Sequence, residues 1–435
     1  MPIKRQHINK LIIRGGKIII PDEKIIDNPD IYIENGIVKE IKSQKIKVKN
    51  TKIINLNKSQ YMSPGFIDLH CHLREPGNTE SETIKTGTLS AIAGGFATIC
   101  CMPNTNPALD NAKIINEIYE KSEKANNTRV LVIGCATKNR AGKKIADLDS
   151  LVKAGVVAVS DDGSPITDSA LMQKLLVRCK NLGIFPINHC EVLELSNAGV
   201  INEGRISRKL DLKGIPDSSE SIMVLRDIVL ADYTKSHIHI AHVSTKKSVD
   251  IIRWAKRRGI KISAETCPHY FTLTEDDCLG LNTNYKVSPP LRIKLDVEAI
   301  KEALIDGTID AIATDHAPWH KSKKQVSWEI AKTGMIGFET AFSLGYQELV
   351  QKKYMALEKY IACLTKKPTQ ILGLKNAGQI REGEPTAITI FDLNKNWTPD
   401  EKNIISKSKN SPFIGKKLKG RIEKVIIQDQ LFSKL

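Results

Sequence analysis

Eight short, apolar, β-prone runs alternate with amphipathic helical patterns between Gly65 and about Gln351, with no long structureless gap. The runs lie at 66–70, 97–102, 129–135, 156–160, 184–189, 238–242, 261–265 and 310–314. Helical patterns fall between them at 81–93, 113–124, 169–181, 219–233, 247–258 and 297–306. Strands that alternate with helices need crossover connections and so form a parallel sheet. Eight such units predict an α/β fold built as a TIM-like (β/α)8 barrel rather than an open doubly wound sheet. No Gly-x-Gly-x-x-Gly follows the first run and no Gly-rich Lys-Ser/Thr loop occurs, so nucleotide-cofactor chemistry has no support.

The two ends of the chain read differently. The first sixty residues place short β patterns between turns, with Leu11-Ile12-Ile13-Arg14 before Gly15-Gly16 and Ile31-Tyr32-Ile33-Glu34 before Asn35-Gly36. Asn-Gly is a strong hairpin signal, because both residues tolerate positive φ. A similar all-β pattern returns at 387–392 and 422–427.

Composition narrows the function. At 435 residues and 41% hydrophobic content the chain has ample material for a large core. The net charge of +16 is spread along the sequence, with no compact Lys/Arg block and only 5% aromatic residues. That distribution reads as solvated faces, and no nucleic-acid partner is expected. Nine cysteines form no Cys-x-x-Cys pair and several sit inside apolar runs, which predicts reduced, buried thiols and a cytoplasmic location. The start, Met1-Pro2-Ile3-Lys4-Arg5, leads into no apolar signal core. No run reaches the roughly 18 apolar residues of a membrane helix, so no membrane partner is expected.

Residues that end different strands of a parallel barrel converge on one face. The predicted strand ends are polar in a selective way. The first carries His70-Cys71-His72, whose imidazoles point the same way along a strand. Others carry Asp161-Asp162-Gly163, His189, His242 and Asp315-His316. Taken singly, such residues are more often structural histidines, turns or caps. Their joint placement at successive strand ends predicts a metal site. Mixed nitrogen and oxygen donors suit zinc, or another divalent first-row metal, better than magnesium or calcium.

The motifs His70-Cys71-His72-Leu73-Arg74-Glu75-Pro76-Gly77, Met102-Pro103-Asn104-Thr105, Ser160-Asp161-Asp162-Gly163, Glu265-Thr266-Cys267-Pro268-His269-Tyr270 and Thr314-Asp315-His316-Ala317-Pro318 together resemble the dihydroorotases of the amidohydrolase superfamily. The resemblance spans nearly the whole chain. It implies a metal-dependent cyclic amidohydrolase of pyrimidine biosynthesis that interconverts dihydroorotate and N-carbamoyl-L-aspartate. It also implies that the flanks, 1–62 and 373–435, fold together as one small composite β domain beside a barrel at 63–372. His70, His72 and Asp315 become ligands of one metal and His189 and His242 of a second. Asp162 becomes the bridge, with Asp161 as the alternative. Many relatives bridge with a carboxylated lysine, but no Lys occupies that place, which favours the subtype with Asp. One or two zinc ions per subunit and no other cofactor are implied, with a homodimer and an association with aspartate transcarbamoylase as partners.

The chemistry implied is hydrolysis by metal-activated hydroxide, since a bound metal lowers the pKa of water from about 15.7 towards about 7. Asp315 is then the catalytic general base and afterwards general acid. Arg74 offers a planar fork to the substrate carboxylate, with Asn104 beside it, and Ser288, His320 and Gly334 are the remaining expected substrate contacts. Two positions depart from the family. Ser288 stands in Lys286-Val287-Ser288-Pro289-Pro290-Leu291-Arg292 where Asn is expected, as in hydantoinase-like relatives. Trp319 follows Pro318 where the family has His, and His320 comes one residue later. The polar, Lys-rich stretch 319–333 is expected to be a mobile loop that closes over substrate. Hydantoinase, dihydropyrimidinase or allantoinase activity is the alternative within the fold, and an inactive barrel scaffolding aspartate transcarbamoylase is the alternative outside catalysis.

Overall fold

The computed structural model describes residues 3–434. Met1, Pro2 and Leu435, at the outer limits of the two expected flanks, lie outside the described residues.

The middle of the chain forms a barrel of eight parallel strands in two half-sheets. The first half holds Phe66–Cys71, Phe96–Cys101, Arg129–Cys135 and Ala158–Ser160 as a continuous ladder. The second holds Ile187–Asn188, Ile238–Ile240, Ile262–Thr266 and Ala311–Ile312. Single parallel bridges, Val159 to Pro186 and Cys71 to His316, close the two halves into one barrel.

Both seams explain why the fifth and eighth strands are shorter than the sequence patterns at 184–189 and 310–314. Pro186 has no N–H to give to a ladder. Val159 N therefore donates to Phe185 O, and His239 N to Pro186 O on the other side. At the second seam a side chain supplements the single backbone hydrogen bond from His72 N to His316 O. The buried Asp68 carboxylate accepts from Thr314 N at 2.8 Å and Thr314 Oγ1 at 2.6 Å.

Helices follow the strands, and side-chain caps start several of them. Asn111 accepts from Ile114 N ahead of Ala112–Ala125, Asp168 from Ala170 N and Leu171 N ahead of Ser169–Asn181, and Thr245 from Ser248 N ahead of Lys246–Arg257. The segment between the fifth strand and helix Asp217–Thr234 carries more structure than its polar sequence suggests. It holds two short helices, Leu193–Ser196 and Arg205–Leu210, and a two-stranded ribbon of Ile201–Asn202 with Gly214–Ile215.

Both ends of the chain build one nine-stranded sheet. In spatial order it runs Ile3–His7, Gln430–Lys434, Leu418–Ile427, Ala387–Trp397, Lys52–Pro64, Lys10–Ile20, Asp30–Glu34 and Ile37–Lys42, with Lys24–Asp27 beside Lys10–Ile20. Asn35 and Gly36, at φ +50° and +74°, make the tight turn between the last two. An aromatic cluster joins this sheet to the barrel: Phe391 of strand Ala387–Trp397 packs on Phe342 at 4.5 Å between centroids, and Phe342 on Phe66 at 5.7 Å. Phe66 begins the first barrel strand, so this contact lies at the end of that strand away from His70 and His72.

Candidate metal centre and active site

The first barrel strand ends in two buried imidazoles with opposite jobs for their two nitrogens. His70 Nδ1 lies 3.1 Å from Glu265 Oε1, at the end of the seventh strand. A carboxylate only accepts, so the Nδ1 must carry the proton, and Nε2 is left as a donor atom. That Nε2 is buried with no hydrogen-bond partner. His72 Nδ1 lies 2.8 Å from Asn104 Oδ1 at the end of the second strand, which turns its Nε2 toward the carboxylates of Asp162 and Asp315.

The fourth strand supplies two adjacent aspartates, and their surroundings separate them. Asp161 accepts from Ala136 N and Thr137 N, each at 3.0 Å, and from the Thr137 hydroxyl, so it ties down the loop after the third strand. Asp162 is the one among the imidazoles. Its carboxylate lies 3.5 Å from His70 Nε2, 3.8 Å from His72 Nε2, 3.7 Å from His189 Nδ1 and 3.7 Å from His242 Nε2. Asp315, ending the eighth strand, stands 2.9 Å from His72 Nε2 and 3.7 Å from His70 Nε2.

Two donor groups result, His70 with His72 and Asp162, and Asp162 with His189 and His242. Metal bonds of about 2.0–2.2 Å in a tetrahedral site put donors about 3.3–3.6 Å apart. The spacings around Asp162 are close to that, and the unpartnered His70 Nε2 faces the same point. The residues fit a divalent metal ion. His189 Nδ1 and His242 Nε2 are 2.9 Å apart, and His189 Nε2 lies 3.1 Å from Glu191 Oε2.

Charge in this cluster is balanced internally. Burial alone would raise the Asp162 carboxyl, but His70 and the other imidazoles hold it well below the usual carboxylate range. Asp315 is likewise held low against its burial, by His72 first and then His70 and His242. For His70 the order is reversed: burial would lower it, and Asp162 with Glu265 carries it well above the ordinary imidazole value. Glu265, paired with His239 as well as His70, is pulled down to about 2 despite complete burial. Arg74, His242 and Asp315 all adopt positive φ, at +58°, +33° and +44°. Such strain is concentrated at functional sites, and here it turns each chain back at a strand end.

A cavity of about 170 Å³ opens above the cluster. His72, Asp162, His189, His242 and Asp315 form its floor, and Arg74, Asn104, Ser288, Trp319 and Gly334 line it too. Asn104 is already engaged at both ends of its amide, since Nδ2 donates to Asp162 Oδ2 at 2.9 Å. Gly334 needs to be glycine: at φ +121° an added Cβ would meet the Ala317 Cβ at 2.6 Å. His320 is not brought to the cavity. Its ring bonds Ser322 at the start of helix Lys321–Lys324, and the indole of Trp319 takes the rim instead.

A family description of dihydro-orotase-like proteins matches residues 59–248. The curated dihydroorotase of Endomicrobium trichonymphae is 47% identical over 412 residues, covering 94% of this chain and 96% of the relative. That of Acetivibrio thermocellus is 45% identical over 412 residues, covering 95% and 96%. The chain belongs to the dihydroorotase family. Membership makes it a cyclic amidohydrolase. Among solved structures, the L-hydantoinase (dihydropyrimidinase) of Arthrobacter aurescens superposes with a TM-score of 0.85 at 21% identity, covering 97% of this chain and 95% of that one. This likeness establishes the barrel with its β domain as the shared fold.

Within the family pattern, several residues acquire functions that their motifs did not announce. Glu265 sits in a quoted motif, yet only the structure shows its carboxylate shared between His70 and His239. His316, next to Asp315, stacks on Phe338 at 4.1 Å and faces Glu82, so it braces the loop rather than the floor. The stretch expected to be a mobile loop is tied down. Lys324 Nζ, largely buried and pushed down to about 7 by that burial, donates to Lys332 O at 2.8 Å and Gly334 O at 3.0 Å. Lys286 Nζ reaches Trp328 O at 2.6 Å and Glu329 O at 2.9 Å. Isolated polar Lys residues carry no signal that distinguishes a solvated loop from one pinned by buried lysine amines.

Proposed function

We propose that the chain is a zinc-dependent dihydroorotase that interconverts (S)-dihydroorotate and N-carbamoyl-L-aspartate. One observation carries this reading: a single cavity combines a metal-donor floor with an arginine whose terminal nitrogens have no protein partner among the described residues. His70, His72 and Asp315 would hold one ion, His189 and His242 a second, and Asp162 would bridge them. A divalent metal held there would supply a water acidic enough to ionise near neutral pH and would polarise the scissile carbonyl.

The chain's own residues do the rest. Arg74 pairs its guanidinium edge with the substrate carboxylate and so fixes the ring over the floor. Asp315, kept ionised by the imidazoles around it, accepts the proton of the attacking water. As the ring C–N bond breaks, it returns that proton to the departing nitrogen. Ser288 and Gly334 shape the wall against which the ring lies, and the pinned segment 319–333 shields it from solvent.

Nine free, buried cysteines support a reducing, cytoplasmic setting. Among the described residues no helix is long and apolar enough to cross a membrane. A homodimer is supported by helix Asp217–Thr234, which exposes Ile222, Leu225, Val229 and Tyr233 on one face. The division of the chain near residues 63 and 373 belongs to the same reading.

The decisive experiment is a dihydroorotate hydrolysis and carbamoyl-aspartate cyclisation assay on protein whose zinc has been quantified. Turnover in both directions is expected. Ser288, lining the cavity as in hydantoinase-like relatives, favours a second reading, and turnover of dihydrouracil, hydantoin or allantoin without dihydroorotate would establish it instead.

A further inference from the structure

The cavity rim carries an aromatic ring that the chemistry above does not use. Trp319 lines the cavity beside Arg74, and the guanidinium carbon of Arg74 lies 4.1 Å from the centre of its ring. The indole is itself held. Its Nε1 donates to Thr333 O at 2.8 Å, and its backbone N donates to Asn410 Oδ1 at 3.0 Å. Gly334 lies alongside, its Cβ position 3.6 Å from Nε1, an ordinary contact distance.

Arg74 is gripped from a second direction, because its Nε donates to Pro318 O at 3.0 Å. An arginine on a free stem samples many rotamers, and ordering it costs entropy each time a ligand binds. With Nε bonded and one face stacked, the plane of the fork is set before any ligand arrives. The edge that remains is the one suited to a bidentate carboxylate. Stacking a guanidinium on an aromatic face is favourable, and more so away from water.

We propose that Trp319 is a positioning residue for substrate recognition: stacked on Arg74, it holds the guanidinium ready for the carboxylate on the carbon that bears the ureido nitrogen, and it strengthens the preference for ligands with that carboxylate over ligands without it. The proposal rests on the dihydroorotase reading. It assigns the departure at position 319 a function that His320 does not supply.

The test uses two matched ligands, N-carbamoyl-L-aspartate and N-carbamoyl-β-alanine, which differ by one carboxylate. Calorimetry on the metal-loaded full chain measures binding, and steady-state kinetics separates KM from kcat. Wild type is expected to prefer carbamoyl-aspartate. Trp319→Ala is expected to lose about tenfold in affinity for it, the equivalent of about 1.4 kcal/mol, with kcat changed less than threefold. Affinity for carbamoyl-β-alanine should not change. Trp319→Phe keeps an aromatic face and should recover most of the loss, whereas Trp319→Leu keeps bulk alone and should not. The Phe and Leu pair decides the matter even if Trp319→Ala does not fold. A wild-type preference retained in Trp319→Leu, or a Phe variant as impaired as Leu, overturns the role of Trp319 and leaves the dihydroorotase reading standing. Absence of any preference in wild type overturns both.

Discussion

The His70–His72 pair and the His189–His242 pair face the same Asp162 carboxylate, but the protein holds them differently. Behind the first pair stand two side chains from other strands: Glu265 fixes one Nδ1 proton and Asn104 the other. Behind the second, Glu191 bonds His189 from only two residues away, and His242 Nδ1 is buried with no partner. Groups that orient a ligand histidine set its tautomer and raise its basicity. The rings of the first pair are therefore oriented before any ion arrives, whereas those of the second are set largely by Asp162. One cluster thus offers two half-sites of unequal readiness, and the first ion bound should be the one at His70 and His72.

The most drastic way to break this comparison is to remove the shared carboxylate. Asp162→Ala should abolish the distinction, lowering kcat by about a thousandfold or more and reducing bound zinc at both pairs, as metal analysis after gel filtration would show. Glu265→Gln tests the buttress itself. Losing such a group typically weakens metal affinity about 10- to 100-fold, and a competitive chelator titration should place this loss on the tighter of two binding steps. If the weaker step moves instead, the assignment of the half-sites is reversed.

A pH experiment sharpens the cost of the buttressed side. Asp68 lies under His70 near Glu265, and burial pushes its carboxyl up to about 7. An unfolded Asp titrates near about 3.9. Between those values the folded state holds more protons than the unfolded one, so this group lowers stability as pH rises from about 4 to about 7, and the full penalty applies above. In metal-free protein, Asp68→Asn should flatten that fall by on the order of 2 kcal/mol, measured by urea denaturation at pH 5 and pH 7.5. An unchanged pH slope would show that the seam charge is relieved by water. The smallest effect belongs to Glu191→Gln, which should change zinc affinity by about threefold or less in the same chelator titration, because Glu191 supports the half-site that is less prepared.

The parts of the site legible in sequence were those with a local signature. An apolar run that ends in His-x-His, Asp-Asp-Gly or Asp-His-Ala-Pro marks a strand and its polar end together, and the barrel brings those ends to one floor. Asn35-Gly36 likewise specified its hairpin through two positive-φ residues. What failed to show had no local mark. Pro186 shortens the fifth strand only because it meets Val159 at a seam. The 319–333 segment reads as a loose loop until the buried amines of Lys286 and Lys324 are seen on its carbonyls.

By itself, the order of residues determined the eight strand-and-helix units, the nature of the donor atoms at their ends, and the presence of Arg74 beside them. Each depends on neighbours a few positions apart, where periodicity and turn chemistry act. Tertiary structure alone decided that Asp162 rather than Asp161 meets the imidazoles, that Glu265 and Asn104 set the tautomers of His70 and His72, and that Trp319 rather than His320 closes over Arg74. Those choices are made by contacts such as the one between His70 and Glu265, 195 residues apart. A hydrogen bond across that separation depends on how the closed barrel aligns its strand ends, which no local pattern encodes.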